Sequence, residues 1–401
     1  MASIGRLTAP YLVLAAIGYS FVAQAQKVYV CDNGTRAENR AWDVKVFENG
    51  THRYVIADAQ GVTFSPRAVG FDSTGAIYIA SLESGGVQNI VKYSENSNGT
   101  EVFSHTQYLT SFGATGGQGS CNWGIGDVRQ LDVDLSDDSV VVANSTGVWN
   151  TSCPSPGGRG PGAYGYIARY RGVNPSVIDQ DHTRAVAVQG LAWLTINGSR
   201  SPNEPTITID QITGDVYVGS EWGQDSLVST QVLERFSRNL VLLDSWDLND
   251  PFRGVPDDVT NRILKGLAVT TDGSVWFNDV TDSAGMGGWG NMGSVVKYDS
   301  SGQFVTRREG QTVMSGTERN NFNWTGGMDI DENDILYYAD TDRVLKLSGQ
   351  NGDFIGFAFG DTSGQWNTNI YGAAAFSGRA GALESIAVGP EPPTGSAVWT
   401  E

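Results

Sequence analysis

Alternation with a period of two recurs along most of the chain. Five stretches show it with the same layout: "VGFDSTGAIYIAS" from Val69, "LDVDLSDDSVVVAN" from Leu131, "ITIDQITGDVYVGS" from Ile207, "LAVTTDGSVWFND" from Leu267 and "MDIDENDILYYAD" from Met328. Each is an alternating apolar run, a polar turn, and a second run of Val, Ile, Tyr or Trp. That order predicts a β-hairpin. Asp72, Asp134, Asp210 and Asp331 share one column, where the first strand enters its turn. A carboxylate there can cap the turn by accepting its backbone N–H groups. In the last stretch Asp329, Asp331 and Asn333 alternate, with Asp340 at the twelfth place, which outlines a calcium loop. Asp334 stands where such a loop needs glycine, and its closing glutamate is absent. The pattern predicts a capped hairpin and no metal.

A third strand follows each hairpin: "NIVKYS", "YIARYR", "VLERFS", "SVVKYD" and "RVLKLS". A fourth often comes next, as in "GQFVTRRE" and "GDFIGFAFG". These units resemble the blades of NHL-type β-propellers, and the resemblance covers nearly all of the chain after residue 25. Five places before the turn stand Arg67, Arg129, Pro205, Lys265, Gly326 and Glu384, at spacings of 62, 76, 60, 61 and 58. Six starts at a period near 60, with four strands per unit, predict an all-β, six-bladed β-propeller. Blades stack face to face, so residues 26–401 should form one domain without a linker. The longest spacing holds "CPSPGGRGPGAYG" (Cys153 to Gly165), a Pro/Gly-rich insertion between the second and third strands of its unit.

The last blade should be shared between the two ends of the chain. "LESIAVG" from Leu383 offers a first strand, while "DVKVF" and "HRYVIA" offer a third and a fourth. Joining them removes two open sheet edges. Two segments fit the second strand, "KVYVC" (Lys27 to Cys31) and "SAVWT" (Ser396 to Thr400). One is surplus. It can fray, or it can pair with another molecule by strand addition.

The N-terminus reads as an export signal: Arg6, a short apolar core, and the small-residue cleavage site "AQA" ending at Ala25. Its core is short for a membrane span. Secretion is therefore expected, with residues 1–25 removed. Without Arg6 the chain has 25 basic against 44 acidic side chains, which disfavours nucleic acid and anionic lipid as partners. Gly and Pro number 51 and 13, so turns abound. In an oxidising compartment Cys121 and Cys153 are the expected disulfide, leaving Cys31 over. Sequons at Asn33, Asn49, Asn98, Asn144, Asn150, Asn197 and Asn323 are candidate glycosylation sites.

Enzymes of the resembling type include calcium-dependent lactonases and a zinc-dependent amidating lyase. The resemblance places a small-molecule site at one mouth of the central channel, built from innermost-strand starts and from loops between second and third strands. A lactonase holds calcium there with acidic and Asn side chains. Here that column offers Arg67, Arg129 and Lys265 against Glu384, a poor cradle for a divalent cation. His52, His105 and His182 fall on or near outer strands, unsuited to converging on zinc. No "GxSxG" elbow is present, and the Gly-rich runs lack a phosphate-loop lysine. No cofactor is expected.

Tryptophan is more suggestive. Trp123, Trp149, Trp222, Trp289, Trp324 and Trp366, six of the eleven, fall in loops expected at that mouth. Exposed indoles are stacking platforms for sugars or partner proteins, although the same rings can also pack against one another. The preferred expectation is a non-catalytic extracellular structural or interaction module. Its partners would be other proteins or itself, and self-assembly into a filament through strand sharing is one form. A glycan-binding, lectin-like module and a lactonase-type hydrolase are the alternatives.

Overall fold

The computed structural model describes residues 26–32, 43–48, 51–56, 66–82, 88–95, 103–110, 128–144, 164–170, 185–192, 195–196, 199–200, 205–220, 232–256, 264–280, 293–309, 325–340, 343–359 and 383–389. Among them are six four-stranded antiparallel sheets. Sheet I comprises Pro66–Phe71, Ile77–Leu82, Gln88–Glu95 and Phe103–Thr110. Sheet II comprises Val128–Asp134, Ser139–Asn144, Tyr164–Tyr170 and Ala185–Ala192. Sheet III is built from Pro205–Ile209, Val216–Ser220, Val232–Phe236 and Leu242–Asp247, and sheet IV from Leu264–Val269, Val275–Val280, Gly293–Tyr298 and Phe304–Glu309. Sheet V holds Thr325–Ile330, Ile335–Asp340, Arg343–Ser348 and Phe354–Phe359. Sheet VI is the shared one, ordered Leu383–Val388, Lys27–Asp32, Asp43–Glu48 and Thr51–Ile56. A small hairpin, Thr195–Ile196 with Ser199–Arg200, lies between sheets II and III in the chain and has no counterpart in the repeat.

First strands contact one another in the order I to VI and back to I. The apolar core follows the same circle. Six clusters of buried side chains each join two neighbouring sheets, and together they cover all six seams. Leu131 and Val133 of sheet II, for example, pack with Ala68, Tyr78 and Ile90 of sheet I. Strands buried on both faces explain the near-continuous apolar runs in the first and second strands. Each Val, Leu or Phe buried this way contributes roughly 1.5–3 kcal/mol. The arrangement is a β-propeller architecture.

Sheet VI resolves the competition for its second strand. Val28, Tyr29, Val30 and Cys31 are all buried. Val28 and Val30 pack on Tyr337 and Val344 of sheet V, while Tyr29 and Cys31 pack with Ile77 and Ile79 of sheet I. The slot demands four consecutive side chains that tolerate burial. "SAVWT" has three apolar residues between two hydroxyls, and a buried hydroxyl without a partner is costly. Lys27–Asp32 therefore fills the place, and Gly389 N donates to Lys27 O at 2.8 Å where the first strand ends. Ser396 to Thr400 lies outside the described residues.

Candidate functional site

At one end of the ring sit the hairpin turns. Asp72 Oδ1 accepts Thr74 N at 3.0 Å and Ala76 N at 2.9 Å. Asp134 Oδ1 accepts Ser136 N at 3.1 Å, Asp210 Oδ1 accepts Ile212 N at 2.9 Å, and Asp331 Oδ1 accepts Asn333 N at 2.9 Å and Ile335 N at 2.8 Å. The Asp column caps turns, as its spacing predicts. Asp138 and Asp334 adopt left-handed backbone, φ 55 and 57, in their hairpins. Each takes an N–H from the preceding hairpin: Ser73 N to Asp138 and Thr271 N to Asp334, both at 2.8 Å. The residue that replaces the calcium-loop glycine thus staples neighbouring turns.

Basic residues of the third strands reach down to these acids. Lys92 pairs with Asp72, and Arg169 Nη1 lies 2.9 Å from Asp134 Oδ2. Burial pushes both carboxyls up, but the hydrogen bonds and positive charges outweigh it, so each ends below the ordinary carboxylate range. These pairs are structural.

Two further acids line the channel. Asp132 and Asp329 stand two places before the turn residue, where the other sheets have Gly70, Thr208, Ala268 and Ala387. Asp132 Oδ1 accepts Val133 N at 2.7 Å, and its Oδ2 accepts Ile209 N of sheet III at 2.8 Å. Asp329 Oδ1 accepts Ile330 N at 2.8 Å, and its Oδ2 accepts Val388 N of sheet VI at 2.6 Å. Both carboxylates satisfy an inner-edge N–H of the next sheet, which lacks a ladder partner. Sheets II and V are three steps apart, so the two bridges face each other across the ring. Each side chain keeps some surface, but that surface faces a narrow channel and the carboxyl is densely enclosed. Burial pushes Asp132 up to about 6 against the pull of its two N–H donors. Burial, then the neighbouring Asp132 charge, pushes Asp329 up to about 8. Both acids line a cavity of about 230 Å³ that all six first strands reach.

The opposite end holds the strand starts. In five of the six first strands, pairing with the second strand skips one residue: Arg67, Arg129, Gly266, Gly326 and Glu384. Only sheet III, beginning at Pro205, pairs without a break. Such bulges bend a strand and re-aim its side chains, and they favour sites beside function. The predicted column of Arg67, Arg129, Lys265 and Glu384 therefore falls at or beside a backbone irregularity that spacing alone did not reveal. Gly266 takes φ 71, and a side chain there would meet Met328 N at 2.8 Å.

Other predicted residues are placed as follows. His52 and His105 lie on the fourth strands of sheets VI and I, as expected; His182 is outside the described residues. Cys31 is buried in sheet VI, and Cys121 and Cys153 are outside. Asn144 ends the second strand of sheet II, paired with Val128 and Tyr166. Asn33, Asn49, Asn98, Asn150, Asn197 and Asn323 are outside, as are Trp123, Trp149, Trp222, Trp289, Trp324 and Trp366. Among the described residues no group of three or more His, Cys, Asp or Glu could hold a metal ion, and no helix is long and apolar enough to cross a membrane. The acids Asp132 and Asp329 were legible only as carboxylates at positions that should be apolar or small.

No protein-family model matches the chain, and no curated protein does. Solved structures of similar shape include a protein of unknown function from Bacteroides caccae, at 10% identity and TM-score 0.46, covering 91% of this chain and 98% of that one. A protein from Lactobacillus plantarum is similar at 8% identity and TM-score 0.47, covering 91% and 99%. A gluconolactonase from Xanthomonas campestris is similar at 10% identity and TM-score 0.38, covering 74% and 79%. None of these likenesses bears on activity.

Proposed function

We propose that residues 26–401 form a secreted six-bladed β-propeller of the NHL type that serves as a non-catalytic extracellular interaction module. One observation carries this reading. The two carboxylates inside the channel accept backbone N–H groups on all four oxygens, one from the carboxylate's own strand and one from the next sheet in each case. Groups held this way organise the ring and are poorly placed to bind a metal or move a proton on a substrate. The strand-start end supports recognition instead. Its column pairs Arg67, Arg129 and Lys265 with a single acid, Glu384, in a chain of net charge −18. Basic residues in that column would favour an anionic partner surface by steering and by complementarity. The loop tryptophans would add stacking contacts for a protein partner, a second copy or a glycan.

Turnover on a panel of lactones, with and without calcium, tests the reading. The expected result is no calcium-dependent hydrolysis by the native protein. Hydrolysis that requires calcium and disappears in Asp329→Asn would reverse it. A glycan array run beside it, with Trp222→Ala and Trp289→Ala as controls, separates a glycan partner from a protein one.

A further inference from the structure

The cavity inside the ring is one-sided in charge. Its walls are mostly aliphatic, with Val69, Leu131, Leu267 and Ile386 among the side chains that reach it. The turn residues Leu135, Gln211 and Thr271 line it too, which places it at the turn end, away from the basic column at the strand starts. Among the described residues of the lining are six acids, Asp132, Asp210, Asp329, Asp331, Glu332 and Asp334, and no Lys or Arg. Elsewhere at the same end a carboxylate meets a base, as Asp72 meets Lys92 and Asp134 meets Arg169. Around the cavity the donors are neutral. Asp331 Oδ2 accepts Gln26 Nε2 at 3.0 Å, Asp334 Oδ2 accepts the Thr271 hydroxyl at 2.7 Å, and Asp210 accepts Ile212 N and the Thr213 hydroxyl. With Asp132 and Asp329 these make five acids, none of which forms an ion pair among the described residues. Like charges around a space of low dielectric disfavour one another's ionisation, and a cation entering that space relieves them.

Two observations restrict which cation fits. A bare calcium ion needs six or more oxygens converging at about 2.3–2.6 Å. Among the described residues no group of three or more His, Cys, Asp or Glu converges in that way. The aliphatic walls, moreover, would gain nothing from a hydrated ion, whereas a hydrocarbon body buries favourably against them.

We propose that the turn-end cavity binds a small organic cation with an aliphatic body, an alkylamine in class, whose ammonium group lies between Asp132 and Asp329. A carboxylate offers about four lone-pair sites, more than the backbone donors occupy, so the ammonium can donate without breaking the bridges between sheets. The site is separate from the partner surface proposed above and does not depend on it. Burial, then the Asp132 charge, keeps a proton on Asp329 up to about pH 8. Asp331 and the other acids of sheets II, III and V share the lining, while sheets I, IV and VI add no titratable group to it. An arriving ammonium displaces the Asp329 proton, so affinity rises with pH.

Isothermal titration of the full chain with hexylamine, 1-hexanol and hexanoate tests the proposal. Hexylamine should bind about tenfold more tightly at about pH 9 than at about pH 6, and hexanol and hexanoate should bind far more weakly than hexylamine at both. Hexylamine binding no better than hexanol, or equally well at both pH values, would overturn the proposal. Displacement of hexylamine by an equal concentration of calcium would overturn it too. Asp329→Asn should remove the pH dependence and leave weaker binding through Asp132. The exposed Asp353, on the outer edge of sheet V, supplies the comparison: Asp353→Asn should change neither the affinity nor its pH dependence. An equal loss in both variants would mean diffuse attraction to an acidic protein and would overturn the site. Should Asp329→Asn fail to fold, the pH profile and the calcium competition of the native protein decide by themselves.

Discussion

Asp329 shows how one side chain can strengthen and weaken the same structure. Its bond from Val388 N holds sheet V to sheet VI and its bond from Ile330 N fixes its own strand, yet burial raises its carboxyl to about 8 and that of Asp132 to about 6. Between an unfolded value near 4 and these raised values, the folded chain keeps protons that the unfolded chain releases. Stability therefore falls as pH rises from about 4 to about 8 and levels off above. Asp72 and Asp134, held low by their partners, act in the opposite window. Their contribution is present above the ordinary carboxylate range and is lost as pH falls below it. Stability should peak on the acidic side of neutral. Asp329→Asn should shrink the neutral-side fall by more than half. An amide offers one acceptor where two N–H groups need one, so the variant should be about 1–2 kcal/mol less stable at pH 5. Chemical denaturation at a series of pH values checks both; an unchanged slope would rule out Asp329 as its source. The turn-capping acids were legible because a column of Asp before a Gly or Ser turn has a local cause. Asp132 and Asp329 were not, because their partners lie 77 and 59 residues away.

At the scale of elements, the second strand of sheet VI bears the most weight for its length. Four consecutive side chains are buried against two sheets. Val30→Ala should cost about 2 kcal/mol, because the packed walls of sheet V cannot collapse into the gap. Thermal unfolding measures it, and a change below about 0.5 kcal/mol would mean that the strand is held by its ladder and not by packing. Hairpins, third strands and the sharing of sheet VI were readable from alternation, since period two and turn chemistry are local. Which of two candidate segments fills the slot was not. That choice depends on burial from both neighbouring sheets. The bulges at the strand starts were equally hidden, because a skipped pair is a property of two strands and leaves no fixed mark on one.

For the whole molecule, closure depends on one short strand from the C-terminal end. A chain ending at Gly389 keeps every element of the circle and should unfold in a single transition within a few degrees of the full chain. A chain ending at residue 382 loses Leu383–Val388, together with Ile386, Ala387 and Val388 from two seam clusters. It exposes the edge of Lys27–Asp32 and should associate or unfold without cooperativity. Light scattering and calorimetry on the two truncations distinguish these outcomes; a cooperative, monomeric chain without residues 383–401 would show that the circle need not shut. The period near 60 made the repeat of four-stranded sheets legible, whereas the seams that bind them became evident only in three dimensions. The sheet built from both termini also sets an order of manufacture. During synthesis the stretch from residue 27 to residue 56 leaves the ribosome long before its innermost neighbour exists, and it waits until Leu383–Val388 has been made. A ribosome stalled just before residue 383 would therefore hold five finished sheets and a sixth that still cannot shut.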